Sequence, residues 1–284
     1  MSESARDDGD ATPLESGVPG VLHYPAAFER IIDLIRRGAV ATARGEPLRR
    51  LAFPPVVSRR VIERAGYLSR FPHLIGFVHS YAGDPKRWAR LEPLAASGDD
   101  WQADQRISDL VLPPAACYPV YATLAGRDLD APALFAVEAA CFRQEATSEP
   151  GRLRSFRMLE LVAVATERYC LDWRERRLDR IAAWFAALSL DVTLEAADSS
   201  HGDASSKAEL RVPVHGPLVQ PVVSGSYHAD RFGLAFDFMC ADEVGRSACV
   251  ALGLERIALA LLSAHGPRPA AWPAPVLAAL ANED

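Results

Sequence analysis

The sequence predicts an α+β fold in which an antiparallel β-sheet is flanked by helices. Two stretches carry this prediction. From Cys141 to Val164 the chain has two alternating strands joined by a polar loop that contains the turn residues Pro150 and Gly151. From Ser247 to Leu262 an apolar strand leads through Gly253 into an apolar helix. A hairpin and a strand–turn–helix unit of this kind fit one sheet with helices packed on it.

The first stretch also carries charges at both ends of its loop. Alternate residues of a strand share a face, so Arg143 and Glu145 are expected to point the same way, and Arg152 and Arg154 add cations from the loop. This arrangement predicts a binding site for a polyphosphate. A hairpin with a charged, solvated turn is an equally good interpretation of these residues alone.

The second stretch places Arg256 at the turn from strand to helix. The helix begins near Glu255 and Arg256 and is otherwise apolar, SACVALGLERIALALL. An arginine at such a turn can face a ligand while the helix behind it is buried.

Composition indicates a globular protein. The chain has 284 residues, enough for one large catalytic domain or two small ones, and its 49% hydrophobic residues can fill a sizeable core. Its net charge of −6 argues against a broad electrostatic footprint for tRNA or DNA, because such binding depends on many Lys and Arg contacts with phosphates.

The chain has no N-terminal apolar segment before a cleavage site and no apolar run as long as a membrane span, so it is expected to be cytoplasmic. Its five cysteines form neither a disulfide framework nor a CxxC zinc motif. Most are therefore expected to be reduced.

In chain order, residues 1–20 are rich in polar residues, Gly and Pro and predict a disordered tail. Apolar residues at helical spacing predict a long amphipathic helix over Phe28–Ala43. A strand over Arg49–Val57, stopped by Pro54 and Pro55, should follow it.

The later part of the chain predicts four further elements. Helical spacing over Trp173–Leu188 predicts a charged helix, and Lys207–Val214 predicts a strand. Pro221–Phe238 is interpreted as another hairpin. The Pro- and Ala-rich end, PRPAAWPAPVLAAL, predicts a short cap with a terminal helix.

Cys117 stands among prolines in LPPAACYPVY, after an apolar strand. A cysteine held by rigid neighbours can be a buried small hydrophobe or a metal thiolate. For an isolated cysteine the pattern favours burial.

These stretches together resemble a known family. FRxE, a loop and a second strand resemble motif 2 of the class II aminoacyl-tRNA synthetases, and GLER before an apolar helix resembles their motif 3. More closely, six stretches in sequence order resemble the amino acid:[carrier protein] ligases, a group similar to seryl-tRNA synthetases: LAFPPVVSRRVIERAGYLSRFPHL, LPPAACYPVY, CFRQE…FRMLEL, KAELRVPV, SYHADRFG and SACVALGLER. The resemblance covers about residues 20–265.

The resemblance implies a class II synthetase-like antiparallel sheet flanked by helices, in one catalytic domain over residues 21–284. It also implies one Zn²⁺ per chain, since the family's ligand pattern falls on Cys117, Glu160 and Cys249. Two thiolates and a carboxylate would leave one position open for the amine of an amino acid. Glu160 would thus touch both metal and substrate.

The implied reaction is activation of a small amino acid with ATP and Mg²⁺. The resemblance alone suggests that this amino acid is glycine or alanine. Arg143 would hold the α-phosphate and carboxylate, Glu145 the adenine amine, and Arg256 the γ-phosphate. Arg154 and Phe156 would complete the nucleotide site. The stretch SYHADRFG implies substrate contacts from Ser226 and Asp230, although Asp230 could equally be an aspartate at a turn.

One departure concerns adenine. The motif usually has a phenylalanine beside the position of Glu160, where this chain has Leu161. ATP would then bind weakly, or Phe156 would supply the ring.

The implied acceptor is the thiol of a phosphopantetheinylated carrier protein, with no tRNA and no membrane partner. The helix and strand before Pro54 resemble motif 1 and imply a homodimer. A biosynthetic amide ligase on the same core, or a catalytically silent paralogue, are the alternatives.

Overall fold

The computed structural model describes residues 9–98, 100, 102–145, 149–197 and 205–281. Its strands are β1 (Leu14–Glu15), β2 (Leu22–His23), β3 (Arg49–Ala52), β4 (Val57–Ser58), β5 (Gly76–Tyr81), β6 (Gln105–Leu112), β7 (Asp128–Leu129), β8 (Ala133–Phe142), β9 (Ser155–Ala165), β10 (Thr193–Ala197), β11 (Ser206–His215), β12 (Leu218–Ala229), β13 (Met239–Cys240), β14 (Glu243–Val244) and β15 (Arg246–Gly253).

The helices are distributed among these strands along the chain. They are α1 (Ala26–Ala41), α2 (Arg59–Arg64), α3 (Tyr67–Arg70), α4 (Pro85–Ser97), α5 (Tyr118–Thr123), α6 (Glu167–Ala187), α7 (Arg231–Phe236), α8 (Leu254–His265) and α9 (Ala274–Ala281), with a 3₁₀ turn over Pro269–Ala271. Among the described residues, no helix combines the length and the apolar character that crossing a bilayer requires.

A seven-stranded sheet forms the centre of the fold, in the order β10-β11-β12-β15-β9-β8-β3. Neighbouring strands are antiparallel except β3, which pairs with β8 in parallel at the edge of the sheet. The predicted hairpin is confirmed as β8 and β9, with Cys141 opposite Phe156. The predicted strand–turn–helix unit is confirmed as β15 and α8.

Alternation along β9 separates two cores. Leu159, Leu161 and Ala163 belong to the core that includes helices α1, α6 and α8. Met158 and Val162 point to the opposite face, into the core that includes α5 and α7. Because Glu160 lies between Met158 and Val162 at the same two-residue spacing, its carboxylate faces this second side.

Arg157 ties three elements together on the helical side. Its Nε donates to Glu255 Oε1 at 2.6 Å, and its Nη1 donates to Glu29 Oε2 at 2.6 Å. The Arg157 backbone nitrogen also donates to Glu255 Oε2 at 2.7 Å. Charge-assisted contacts of this kind are short and directional. They hold α1 and the start of α8 against β9, next to the position of Arg256.

One predicted hairpin is wrong. Residues 221–238 do not form a hairpin: the strand β12 runs to Ala229, and helix α7 follows. Phe232 and Phe236 are four residues apart and are both buried, which is helical spacing. The hairpin in this part of the chain is β11 with β12, which turns at Gly216, where φ is +52°.

The segment predicted as a disordered tail is packed where it is described. Residues 1–8 lie outside the described part of the chain. Ala11 is buried and its nitrogen donates to the Pro267 oxygen at 2.8 Å. The Gly20 oxygen accepts a hydrogen bond from the Arg154 nitrogen at 2.7 Å. Residues 9–20 thus include backbone hydrogen bonds to distant parts of the chain, which composition does not reveal.

Candidate active site

A cavity of about 460 Å³ opens on the face of the sheet that carries Glu160. Four neighbouring strands contribute to its lining. Its polar wall comprises Lys207 and Glu209 from β11, Ser224, Ser226 and His228 from β12, Cys249 from β15 and Glu160 from β9. The size lies in the range of small-molecule sites, about 300–1,000 Å³.

Three side chains with metal-binding atoms meet in this wall. The ligand atoms of Cys117, Glu160 and Cys249 all lie within 4.8 Å of one another, and all three residues are buried. Ligands that share one ion at roughly 2.0–2.3 Å lie closer than this to each other. The structure therefore brings together the three residues that the sequence predicted as a set, and small side-chain shifts would suffice to enclose an ion.

The loop after β6 and the start of helix α5 position Cys117 beside Glu160. Pro113 and Pro114 follow the end of β6, and Cys117 occupies the N-cap position of the short helix α5. The backbone nitrogens of Ala116 and Cys117 donate to Glu160 Oε1 at 2.7 and 3.1 Å. These bonds fix the loop to β9 through one carboxylate oxygen of Glu160.

The acidity of the three groups is strongly perturbed. Burial, followed by the charge of Cys249, raises the pKa of Glu160 to about 8. A hydrogen bond from the Cys117 thiol lowers the pKa of Cys249, and the same contact raises the pKa of Cys117. A carboxyl buried beside two buried thiols is costly to ionise without a cation. The donor set, two sulfurs and one carboxylate oxygen, suits Zn²⁺.

Arginines gather at the other end of the cavity. Arg143, Arg152 and Arg256 line it, with the carboxylate of Glu145 beside them, 3.5 Å from Arg152. Burial, followed by the positive charges of Arg143 and Arg152, lowers the pKa of Arg256 to about 10. Mutual repulsion of this kind is relieved by a bound polyanion.

Backbone carbonyls position two of these arginines. Arg143 Nε donates to the Pro114 oxygen at 3.2 Å. Arg256 donates from Nε to the Gly151 oxygen at 3.0 Å and from Nη1 to the Pro221 oxygen at 2.6 Å. The guanidinium of Arg256 is thereby fixed between the hairpin turn and β12.

Phe156 lines the cavity, and Leu161 does not. The Arg143 guanidinium lies 5.4 Å from the centre of the Phe156 ring. Leu161 is fully buried in the core on the helical side of the sheet. Residues 156 and 161 are an odd number of positions apart in the strand, so their side chains face opposite sides of the sheet. The expectation that Leu161 occupies the adenine-stacking position is therefore wrong.

Two predicted site residues are not among those that line the cavity. The Asp230 carboxylate, half exposed, lies 3.8 Å from Arg246 Nη1 at the start of α7. This is the turn aspartate that the sequence allowed as an alternative. The Arg154 Nε is buried with no hydrogen-bond partner among the described residues. Neither prediction gains support from the cavity lining.

Sequence reasoning missed His228, Lys207 and Glu209. The pattern could have indicated all three, because His228 lies two residues after Ser226, and Lys207 and Glu209 are also two residues apart. The Lys207 Nζ lies 2.6 Å from Glu209 Oε1. Lys207 of β11 lies opposite Ser226 of β12. Lys207 and Glu209 therefore reach the same wall of the cavity as Ser226 and His228.

Comparisons with known proteins identify relatives by sequence and by fold. No protein-family model matches the chain. Amino acid–[acyl-carrier-protein] ligase 2 of Bradyrhizobium diazoefficiens is 35% identical over 97% of this chain and 87% of its own length. Ligase 1 of the same organism is 36% identical over 92% of this chain and 84% of its own length.

Solved structures share the fold. The seryl-tRNA synthetase of M. kandleri, solved with A. aeolicus tRNASec, matches with a TM-score of 0.82 at 20% identity, over 95% of this chain and 58% of that one. The seryl-tRNA synthetase of Pyrococcus horikoshii, complexed with ATP, matches with a TM-score of 0.69 at 17% identity, over 87% of this chain and 54% of that one. The chain thus spans little more than half of each. The predicted class II synthetase-like sheet is confirmed.

Proposed function

Because the chain belongs to the amino acid–[acyl-carrier-protein] ligase family, we propose that it activates a small amino acid with ATP and transfers it to the phosphopantetheine thiol of a carrier protein. The observation that carries the proposal is the shared cavity. The Cys117–Glu160–Cys249 cluster and the arginines 143 and 256 line one space of about 460 Å³. A metal-binding cluster at one end and paired cations at the other match an amino acid joined to a nucleotide.

At the cysteine end, Cys117, Glu160 and Cys249 would hold one Zn²⁺. A bound Zn²⁺ with three protein ligands supplies an open position for a free amine. The aromatic rings of Tyr67, Tyr118 and Phe232 line the cavity nearby. They pack edge to face at centroid distances of 5.6 and 5.8 Å. This filled space supports a substrate with a small side chain, such as glycine or alanine.

At the arginine end, the substrate carboxylate oxygen would attack the α-phosphorus of ATP. The bond from that phosphorus to the oxygen that bridges the α- and β-phosphates breaks, and pyrophosphate leaves. Mg²⁺, when bound, would supply positive charge to the phosphate oxygens. Arg143 would contact the α-phosphate and the carboxylate, and Arg256 the γ-phosphate. Fixed cations aimed at developing charge are a main source of rate in such reactions.

Two further residues would hold the base. Phe156, already within 5.4 Å of the Arg143 guanidinium, would stack on adenine, and the Glu145 carboxylate would accept a hydrogen bond from the adenine amine. In the second step the carrier thiol would attack the aminoacyl carbonyl carbon. The carbon–oxygen bond to the adenylate breaks, AMP leaves, and a thioester forms.

The test has two stages on the full chain. The first is ATP–pyrophosphate exchange with each proteinogenic amino acid in turn, which we expect to be stimulated by glycine or alanine. The second offers labelled amino acid, ATP and either holo carrier proteins or total tRNA, with apo carrier protein, which lacks the thiol, as the matched control.

Each outcome separates the candidates. Label on holo carrier alone supports the proposal. Label on tRNA alone contradicts it, and exchange without label on either acceptor favours a small-molecule amide ligase. Absence of exchange with every amino acid favours a silent paralogue.

A further inference from the structure

His228 contacts the metal-binding cluster from outside it. Its Nε2 lies 3.4 Å from Cys249 Sγ. Both side chains are buried, with 5% of each residue exposed. His228 does not belong to the set of three residues whose ligand atoms lie within 4.8 Å of one another. The imidazole therefore touches a proposed ligand without joining the ligand set.

A β-bulge in β12 positions this histidine. Tyr227 lies opposite Ala248 of β15 and Ala229 lies opposite Ser247, so His228 is the extra residue between two paired ones. Bulges re-aim side chains and occur often beside active sites. The next residue, Ala229, has a φ of +51°, which an alanine rarely adopts. The fold tolerates this backbone strain at the residue that follows His228.

Aromatic contacts hold the imidazole ring in place. It packs edge-on against Phe232 with 5.0 Å between ring centres and against Tyr121 at 6.4 Å. Both neighbours are buried in the core on this side of the sheet. The ring thus has its orientation fixed by packing, with Nε2 turned to the Cys249 sulfur.

From this geometry we infer that His228 is a positioning residue of the metal centre. Its Nε2–H donates a hydrogen bond to Cys249 Sγ, holds that thiolate in its rotamer and disperses part of its charge. This inference rests on the metal centre of the proposed function. Partners one step outside the ligands commonly change metal affinity by about 10- to 100-fold when they are removed.

Two other roles for His228 make different predictions. A histidine that merely fills space would be replaced by an apolar residue without change at the metal. A histidine that joins the ligands as a fourth one would not be replaced by glutamine, because an amide is a poor substitute for imidazole on such ions. A hydrogen-bond donor to sulfur is replaced by glutamine, whose amide N–H can reach a similar position.

The experiment compares His228→Leu with His228→Gln by titrating metal-free protein with Co²⁺ and recording the thiolate-to-cobalt and d–d absorption bands. Zn²⁺ affinity is measured by competition with a chromogenic chelator. We expect His228→Leu to weaken both metals by about 10- to 100-fold and to shift the thiolate band. We expect His228→Gln to restore most of the affinity and the d–d intensity. Circular dichroism of the metal-free proteins checks that both variants fold.

His265→Gln is the matched control, since this histidine also has a fixed contact, to the Leu188 oxygen at 2.9 Å, but lies on α8 away from the cavity. It should leave both metal readouts unchanged. Wild-type affinity and spectrum in His228→Leu would overturn the inference while the metal centre stands. Equal loss of d–d intensity in both variants would make His228 a ligand and would also overturn it. Absence of metal binding in the wild type would reject the metal centre itself and this inference with it.

Discussion

The Glu160 carboxylate and the Cys117 backbone are joined directly: Cys117 N donates to Glu160 Oε1 at 3.1 Å. Glu160 lies in the middle of β9, a central strand. Cys117 precedes both strands of the β8–β9 hairpin in sequence and lies at the N-cap of helix α5. The bond makes the position of one thiol depend on the carboxylate that would share its metal ion. The three residues of the cluster are therefore structurally coupled, and substitution of any one of them should impair metal binding by the whole cluster.

The first prediction is one zinc per chain, lost on substitution of either cysteine of the cluster. Cys117→Ser and Cys249→Ser should each lose the metal and amino-acid activation together, because a hydroxyl is a poor ligand for a soft or borderline metal. Elemental analysis of purified protein measures the metal, and pyrophosphate exchange measures activation. Cys240→Ser is the matched control, because Cys240 lies in β13 outside the cavity, and it should keep both. Full metal content in Cys117→Ser would refute the assignment.

The second prediction concerns the two arginines assigned to phosphates. Arg143→Ala and Arg256→Ala should each lower the exchange rate by roughly a hundredfold or more, the usual effect of removing one donor from a transition state. Zinc content should not change, because neither residue belongs to the metal-binding cluster. Arg168→Ala provides the control, since that side chain is 94% exposed on α6. Exchange at the wild-type rate in either cavity variant would show that the guanidinium does not act on ATP.

The third prediction separates Phe156 from Leu161. Phe156→Leu should raise KM for ATP about 3- to 10-fold, as expected for loss of one aromatic stack of about 0.5–1.5 kcal/mol. Leu161→Phe should leave KM for ATP unchanged and should lower the free energy of unfolding by about 1–3 kcal/mol, since it overpacks a filled core. Initial rates at varied ATP and denaturant unfolding give the two quantities. Tighter ATP binding in Leu161→Phe would place residue 161 on the nucleotide side.

Strand alternation decides which parts of this site the sequence could reveal. Met158, Glu160 and Val162 share one face of β9, as the two-residue period of a paired strand requires, and this much can be read from the sequence. The same rule, applied one residue further, would have put Leu161 on the other side. The cluster of Cys117 with Glu160 and Cys249 came only from resemblance, since local periodicity carries no information on which distant elements meet.

Two-residue spacing could place His228 on the cavity face, but neither its contact with Cys249 nor helix α7 could be predicted in this way. The bulge at His228 depends on how β12 pairs with β15, and this register is set by tertiary contacts. Helix α7 is six residues long and contains Gly233, so its local propensity is weak. It forms because Phe232 and Phe236 are buried beside Tyr121. Tertiary packing overrides the turn-like composition that suggested a hairpin.

The last prediction is a homodimer. It rests on helix α1 followed by β3, an edge strand of the central sheet that ends just before Pro54 and Pro55, in the manner of motif 1. Closed oligomers commonly use twofold contacts in which the same surface occurs on both copies. A substitution that changes a charge in such an interface therefore occurs twice, once on each copy. Arg50→Asp on the exposed part of β3 should therefore weaken association more than Arg168→Asp on α6, although both substitutions change the charge equally. Sedimentation over a range of concentrations should give a species of twice the 30.8 kDa chain mass for the wild type. A single monomeric species of the wild type at micromolar concentration would exclude the dimer, and equal weakening by both substitutions would move the interface away from β3.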